Sequence, residues 1–166
     1  MLFHPKRHLT LGSFIPKQGN QHARAAGIQF IGAEQALPTT LIVAGRPGSG
    51  KTHLLHALAN FAKRNRAIRS IACMTGVQFA DEVVRARFYR DLDGVLGRYA
   101  CDGLLAIDDV ERLFYQPEVA DALLRVMQAR QLKKRRTLLS ATMCLASATT
   151  HPLIEFLDHQ PAVRLV

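Results

Sequence analysis

The segment Gly45-Arg46-Pro47-Gly48-Ser49-Gly50-Lys51-Thr52 constrains this chain more than any other. A glycine, four residues and then Gly-Lys-Thr form a phosphate-cradling signature when a strand precedes them and a helix follows. Both flanks fit. Leu41-Ile42-Val43-Ala44 is a short apolar run bounded by turn signals, which suits a strand buried on both faces of a parallel sheet. From Lys51 to Asn65 a helical period places Leu54, Leu55, Leu58 and Phe61 on one side. Glycines at 45, 48 and 50 let backbone N–H groups turn toward one point, and the helix N-terminus adds its positive end. Such a nest holds phosphate.

The rest of the chain continues the alternation. A helix is predicted over residues 21–31, ending near Gly32, then a strand over Ile68 to Met74. Two helical stretches, Val77 to Arg87 and Tyr89 to Tyr99, lead to the apolar run Leu104-Leu105-Ala106-Ile107. A long helix from Pro117 to Lys133, a strand at Thr137 to Ala141, a short helix at Leu153 to Leu157 and a last strand at Ala162 to Val166 complete the order. Strands alternating with helices imply an α/β fold of three layers with right-handed crossovers. With 166 residues, 48% of them hydrophobic, the chain has the substance for a single core and no second full domain. Residues 1–20, polar and basic with Pro5, Gly12, Pro16 and Gly19, are expected to form an extended lead-in rather than a packed element, and 21–166 the domain proper. Cys73, Cys101 and Cys144 are odd in number and lack CxxC spacing, so they read as reduced, mostly buried thiols.

The chemistry follows from the loop. Lys51 is placed to reach the β and γ phosphates of a nucleoside triphosphate, and the Thr52 hydroxyl to ligate Mg²⁺. The apolar run 104–107 delivers the acidic pair Asp108-Asp109. Asp108 is expected to hold Mg²⁺ through water, and Asp109 to orient or deprotonate an attacking water as general base. Ser140 and Thr142, at the end of the strand 137–141, fit either a hydroxyl sensing the γ-phosphate or ordinary strand-end bonding. Net charge is +9, and residues 1–80 hold ten Lys or Arg against one acid, Glu34. That excess makes nucleic acid a natural partner, although general solubility explains it too. Arg85, Arg87 and Arg90 suit a phosphate-backbone contact as well as a solvated face, and the scarcity of aromatics near them argues against base stacking. Lys133, Lys134, Arg135 and Arg136 read as solvated charges complementing a helix C-terminus. No stretch has the roughly 20 apolar residues that span a bilayer, so no membrane partner and a cytoplasmic location are expected.

Continued through Lys51-Thr52-His53-Leu54-Leu55-His56-Ala57-Leu58-Ala59-Asn60, the loop resembles that of the DnaA replication-initiator family of AAA+ ATPases, a group that includes initiators, helicase loaders and a regulatory homologue. Phe79-Ala80-Asp81-Glu82, the two helical stretches and then Leu104 to Leu113 follow the family order. Phe14, Ile15 and Asn20 resemble its box around the adenine. The resemblance, from about Leu11 to the last residue, implies an AAA+ base subdomain with a five-stranded parallel sheet. It implies ATP and Mg²⁺ as ligands held by Gly45, Pro47, Gly48, Ser49, Gly50, Lys51, Thr52 and His53. Asp108 and Asp109 become the acidic box and Ser140 or Thr142 the sensor. The insertion bearing Arg85, Arg87 and Arg90 would be where family initiators contact single-stranded DNA. Two departures stand out. Leu153-Ile154-Glu155-Phe156-Leu157-Asp158 carries no arginine where the family's finger is found, and Phe156 takes its place. The chain also ends at the final strand of the base subdomain, so the helical lid is expected to be absent.

Together these features point to an ATP-binding protein acting in replication initiation, its regulation or helicase loading, and at most a weak ATPase. Expected partners are replication proteins (an initiator, helicase or clamp), with DNA and a second copy of the chain as further candidates. A small P-loop metabolite kinase and a non-hydrolysing interaction module are the alternatives.

Overall fold

Alternation decides where each strand residue faces. In the strand Thr40–Gly45 (β1), Leu41 and Val43 join one hydrophobic cluster and Ile42 the other. In Leu104–Asp108 (β3), Leu104 and Ala106 take the first direction while Leu105 and Ile107 take the second. The period of two puts apolar side chains on both faces, so this sheet needs a helical layer on each side.

The computed structural model describes residues 3–17, 19–33, 38–64, 68–142 and 151–165. Besides β1 and β3, the strands are Ile71–Thr75 (β2), Arg136–Ala141 (β4) and Ala162–Leu165 (β5). They form one sheet in the order β2-β3-β4-β1-β5, and every pairing is parallel. Gln21–Gly32 (α1) and Lys51–Ala62 (α2) cover one face. Gly76–Phe88 (α3), Leu92–Cys101 (α4), Pro117–Leu132 (α5) and Pro152–Asp158 (α6) cover the other. The expected three-layer α/β architecture with five parallel strands is what the chain forms.

Several boundaries differ from expectation for local reasons. The strand β2 starts at Ile71, and a 3₁₀ turn at Val110–Leu113 follows β3, too short to leave a periodic signature. The helix α3 stops where Arg90 adopts a left-handed φ of 56°. The Asp91 N–H then reaches back to Ala86 O at 2.8 Å, a six-to-one closure that glycine ordinarily provides, and α4 begins only at Leu92. Arg136 does not sit on a solvated face. It is buried at the start of β4, where its guanidinium donates to Phe30 O at 3.0 Å and to Ala33 O, satisfying carbonyls at the end of α1.

Nor is the lead-in detached. Its described residues carry no helix or strand, yet they lie against α2 and the edge of the sheet, with Phe14 in the core at 4% exposure and the Cys73 N–H donating to Phe3 O at 3.0 Å. Main-chain hydrogen bonding gives this packing a basis that hydropathy does not register. Cys73 is buried, as expected, but Cys101 is exposed. Cys144 lies outside the described residues.

Candidate functional site

Parallel strands bring their C-terminal ends to one side of a sheet, and ligands of open α/β folds bind there. Here β1 ends at Gly45 and β3 at Asp108, with β4 between them. The glycine loop therefore starts two strand widths from the acidic pair.

The loop has the backbone the sequence requires. Gly48 and Gly50 hold φ of 78° and 97°, values a side chain resists, and Gly50 is the N-cap of α2. A Cβ on Gly45 would lie 2.5 Å from Ser49 Oγ and 2.9 Å from Leu165 O, so the start of the loop is closed to larger residues. Lys51 is buried, and its Nζ donates to Arg46 O at 3.0 Å. The ammonium thus folds over the nest with the loop's own carbonyl as partner. Ser49 Oγ is buried with no hydrogen-bond partner, which leaves a hydroxyl for an incoming oxyanion to satisfy. Left-handed glycines, a folded-over ammonium and an unpartnered hydroxyl at a helix N-terminus suit a polyphosphate.

Across the sheet, parity aims Asp108 toward α2, the face taken by Leu104 and Ala106. Its carboxylate is 3% exposed. Ser140, on the same face of β4 as Leu138, donates its hydroxyl to Asp108 Oδ1 and accepts the Asp109 N–H at 2.9 Å. One hydroxyl thus fixes both acids. Asp109 takes a left-handed φ of 53°, so its side chain leaves the strand line. Its carboxyl titrates above the ordinary range, chiefly because burial disfavours the charged form, then because of Asp108 and Glu111. The Lys51 and Arg112 charges oppose that rise. Thr142 is engaged elsewhere, its N–H donating to Glu111 Oε1 at 3.2 Å and its hydroxyl to the same oxygen.

Among the described residues no group of three or more His, Cys, Asp and Glu forms a metal cage. A divalent cation here would rest on Asp108 and Thr52, with phosphate and water supplying the remaining oxygens. Mg²⁺ is commonly held in that way, by one or two carboxylates plus phosphates.

The adenine-box residues divide. Phe14 is buried with its ring against Gly50, where a Cβ would be 3.3 Å from the ring. Asn20, buried at the start of α1, accepts the Lys17 N–H at 2.6 Å and shapes the turn that leaves Ile15 at 76% exposure. The His53 side chain does not face the phosphate nest. Its Nε2 lies 3.2 Å from both Ser13 Oγ and Thr10 O, and its ring meets Phe14 edge-on at 5.3 Å.

Arg85, Arg87 and Arg90 are exposed at the α3–α4 turn, away from the loop in the sequence and on the helical layer opposite α2. The expectation of few aromatics there is corrected. Phe88 and Tyr89 stand 79% and 74% exposed between these arginines, packed edge-to-face on each other with ring centroids 5.1 Å apart. Sequence periodicity leaves Phe88 between two helical stretches and puts Tyr89 at the start of the second, and only the helix end at Arg90 shows that both rings face water.

The family model of the bacterial DnaA ATPase domain matches residues 6–146. The chain is 34% identical over 103 residues, 62% of its length, to the chromosomal replication initiator protein DnaA of Leptothrix cholodnii, of which it covers 20%. It is 27% identical over 135 residues, 80% of its length, to the Mycoplasma genitalium DnaA, of which it covers 31%. The chain thus spans a fifth to a third of these relatives. Its fold matches AMPPCP-bound DnaA from Aquifex aeolicus with a TM-score of 0.89 at 21% identity, covering 97% of this chain and 51% of that one. It also matches the DnaC helicase loader with a TM-score of 0.77 at 17% identity, covering 95% of this chain and 97% of that one.

Proposed function

The chain belongs to the bacterial DnaA ATPase-domain family, and from that premise we propose that it binds ATP with Mg²⁺ and acts in replication initiation, its regulation or helicase loading. The observation that carries the nucleotide reading is the pairing, at one end of the sheet, of the Gly45–Thr52 nest with the buried Asp108 that Ser140 holds. On this reading Gly45, Pro47, Gly48, Ser49 and Gly50 enclose the phosphates, and Lys51 exchanges the Arg46 carbonyl for phosphate oxygens. Thr52 and Asp108 would hold Mg²⁺, which when bound neutralises charge on the phosphates. Asp109, turned out of the strand and easier to protonate than an ordinary carboxylate, orients the attacking water. Ser140 acts through the two acids it bonds, and Thr142 through Glu111. Phe14, Ile15 and Asn20 form the wall for the base.

Turnover is proposed to be weak. Phe156 packs partly buried against the core beneath α6 at the position the family resemblance gives to an arginine finger, and it supplies no charge to a neighbouring copy. Where a finger is used it contributes roughly 10³ to 10⁵ in rate. The family assignment favours this reading over a small-metabolite kinase.

For nucleic acid, a neighbour of similar fold is DnaA bound to AMPPCP and single-stranded DNA, with a TM-score of 0.89 and 21% identity. The α3–α4 turn is the proposed face for a single strand. Arg85, Arg87 and Arg90 suit its phosphates, and Phe88 and Tyr89 offer rings on which bases stack. Replication proteins are the other proposed partners. Among the described residues no helix is long and apolar enough to cross a membrane, and a cytoplasmic site of action is proposed.

Equilibrium ATP binding by Lys51→Ala tests the nucleotide reading. Losing the charge-assisted bonds to phosphate is expected to weaken affinity by about 100-fold. Unchanged affinity would remove the reading.

A further inference from the structure

One face of α2 is polar and bonds the lead-in rather than the phosphate nest. His53, His56 and Asn60, spaced three and four residues apart, point along it, and each bonds the lead-in. His53 Nε2 lies 3.2 Å from Thr10 O and 3.2 Å from Ser13 Oγ. A carbonyl oxygen only accepts, so this nitrogen carries the proton. His56 Nδ1 accepts the Lys6 N–H at 3.3 Å. Asn60 Nδ2 donates to both Lys6 O and Leu9 O at 2.8 Å. Four of these five contacts end on main-chain atoms, so they fix the path of the segment rather than read its side chains.

That path ends at the loop. The Phe14 N–H closes a turn onto Thr10 O at 3.0 Å, the residue that His53 holds. Phe14 then lies edge-on to His53 and against Gly50, whose left-handed conformation shapes the nest. Beyond Phe14 comes Ile15, exposed on the turn that Asn20 closes. A single helix therefore starts at the phosphate nest and, along its flank, sets the position of the segment adjoining that nest.

We infer that His53 and Asn60 are positioning residues for base recognition: they clasp residues 6–14 so that Phe14 buttresses Gly50 and Ile15 stands over the base of a bound nucleotide. The inference rests on the proposed nucleotide reading. It assigns His53 to the clasp instead of to the phosphates. The clasp then contributes to affinity for a whole nucleotide more than for a bare polyphosphate chain, because the nest alone recognises phosphate.

Titration calorimetry of the full chain with ATP and with inorganic tripolyphosphate, in Mg²⁺, tests this. His53→Ala and Asn60→Ala are each expected to lower the ratio of ATP to tripolyphosphate affinity by about tenfold, the size of one or two lost hydrogen bonds. His53→Gln, which returns a donor near the Nε2 position, is expected to recover most of the ratio. Hydrogen exchange over residues 6–14 quickens in the alanine variants if the clasp has opened. Quickened exchange with an unchanged ratio overturns the proposal, since the fastening is then structural only. A wild-type chain that binds neither ligand, or Lys51→Ala that binds both undiminished, sinks the nucleotide reading and the proposal with it.

Discussion

The end of the sheet and the α3–α4 turn treat their polar and apolar groups in opposite ways. At the sheet end, polar groups are drawn out of water and mostly bonded, with Lys51 on Arg46 O, Asp108 on Ser140 and Thr142 on Glu111, and with Ser49 Oγ and Glu111 Oε2 left unpartnered. At the turn, two aromatic rings stand in water beside three arginines with no carboxylate bonded to them among the described contacts. The first region is complete as folded and needs only an anion in its nest. Each region holds one non-glycine residue in a left-handed conformation that costs about 1 kcal/mol, Asp109 and Arg90, but at the turn the large apolar surface of Phe88 and Tyr89 stays in water. Sites built from main-chain amides are preorganised, whereas surfaces built from exposed rings and arginines gain their energy on contact with a partner.

The contrast breaks if the bonds at the sheet end are dispensable. Ser140→Ala leaves a buried carboxylate and the Asp109 N–H without their partner, and a loss of about 2 kcal/mol in folding stability is expected, measurable by urea denaturation. A loss below about 0.5 kcal/mol would mean that water replaces the hydroxyl and that the acids are less enclosed than they look.

The turn should behave in the opposite sense. Phe88→Ser combined with Tyr89→Ser is expected to change stability by less than about 0.5 kcal/mol, yet to weaken binding of an oligothymidylate by about tenfold or more, as stacked bases contribute about 1–3 kcal/mol each. Fluorescence anisotropy reads the second effect. A double variant that binds DNA normally removes the aromatic half of the proposed face and leaves only arginine.

The smallest effect concerns pH and belongs to α2. Burial holds the His56 pKa below the ordinary 6.5, despite the nearby Asp108 charge, with Lys6, His8 and His53 acting in the same direction as burial. The unfolded chain therefore takes up a proton more readily than the folded one. Stability from neutral His56 is present above pH 6.5 and is lost as pH falls below it. Denaturation free energies from pH 7.5 to 5 should fall less steeply in His56→Gln than in the wild type. Equal slopes would show that the imidazole protonates in place without disturbing Lys6 or Cys73, whose Sγ lies 3.3 Å from His56 Nδ1.

What was legible in the sequence is what local rules carry. Glycine spacing gave the nest, and apolar runs followed by acids gave β3 and its carboxylates. The ends of elements were less legible. The stop at Arg90 depends on a left-handed residue that is not glycine, and it turned Tyr89, expected to open the second helical stretch, into part of an exposed aromatic corner. Arg136, read as one of four solvated charges, turned inward because the end of α1 offers it two carbonyls more than 100 residues away in the chain.

The sequence by itself determined the loop, the parallel α/β alternation and the family, since these depend on residue spacing along one or two elements. Only the tertiary structure decided which polar partner each side chain takes. Ser140 with Asp108, His53 with Thr10 and Ser13, and Asn60 with Lys6 and Leu9 are separated by 32 to 54 residues. Hydrogen-bonding capacity is a property of a residue, but its partner is fixed by the packing that brings distant segments within hydrogen-bonding distance and excludes water.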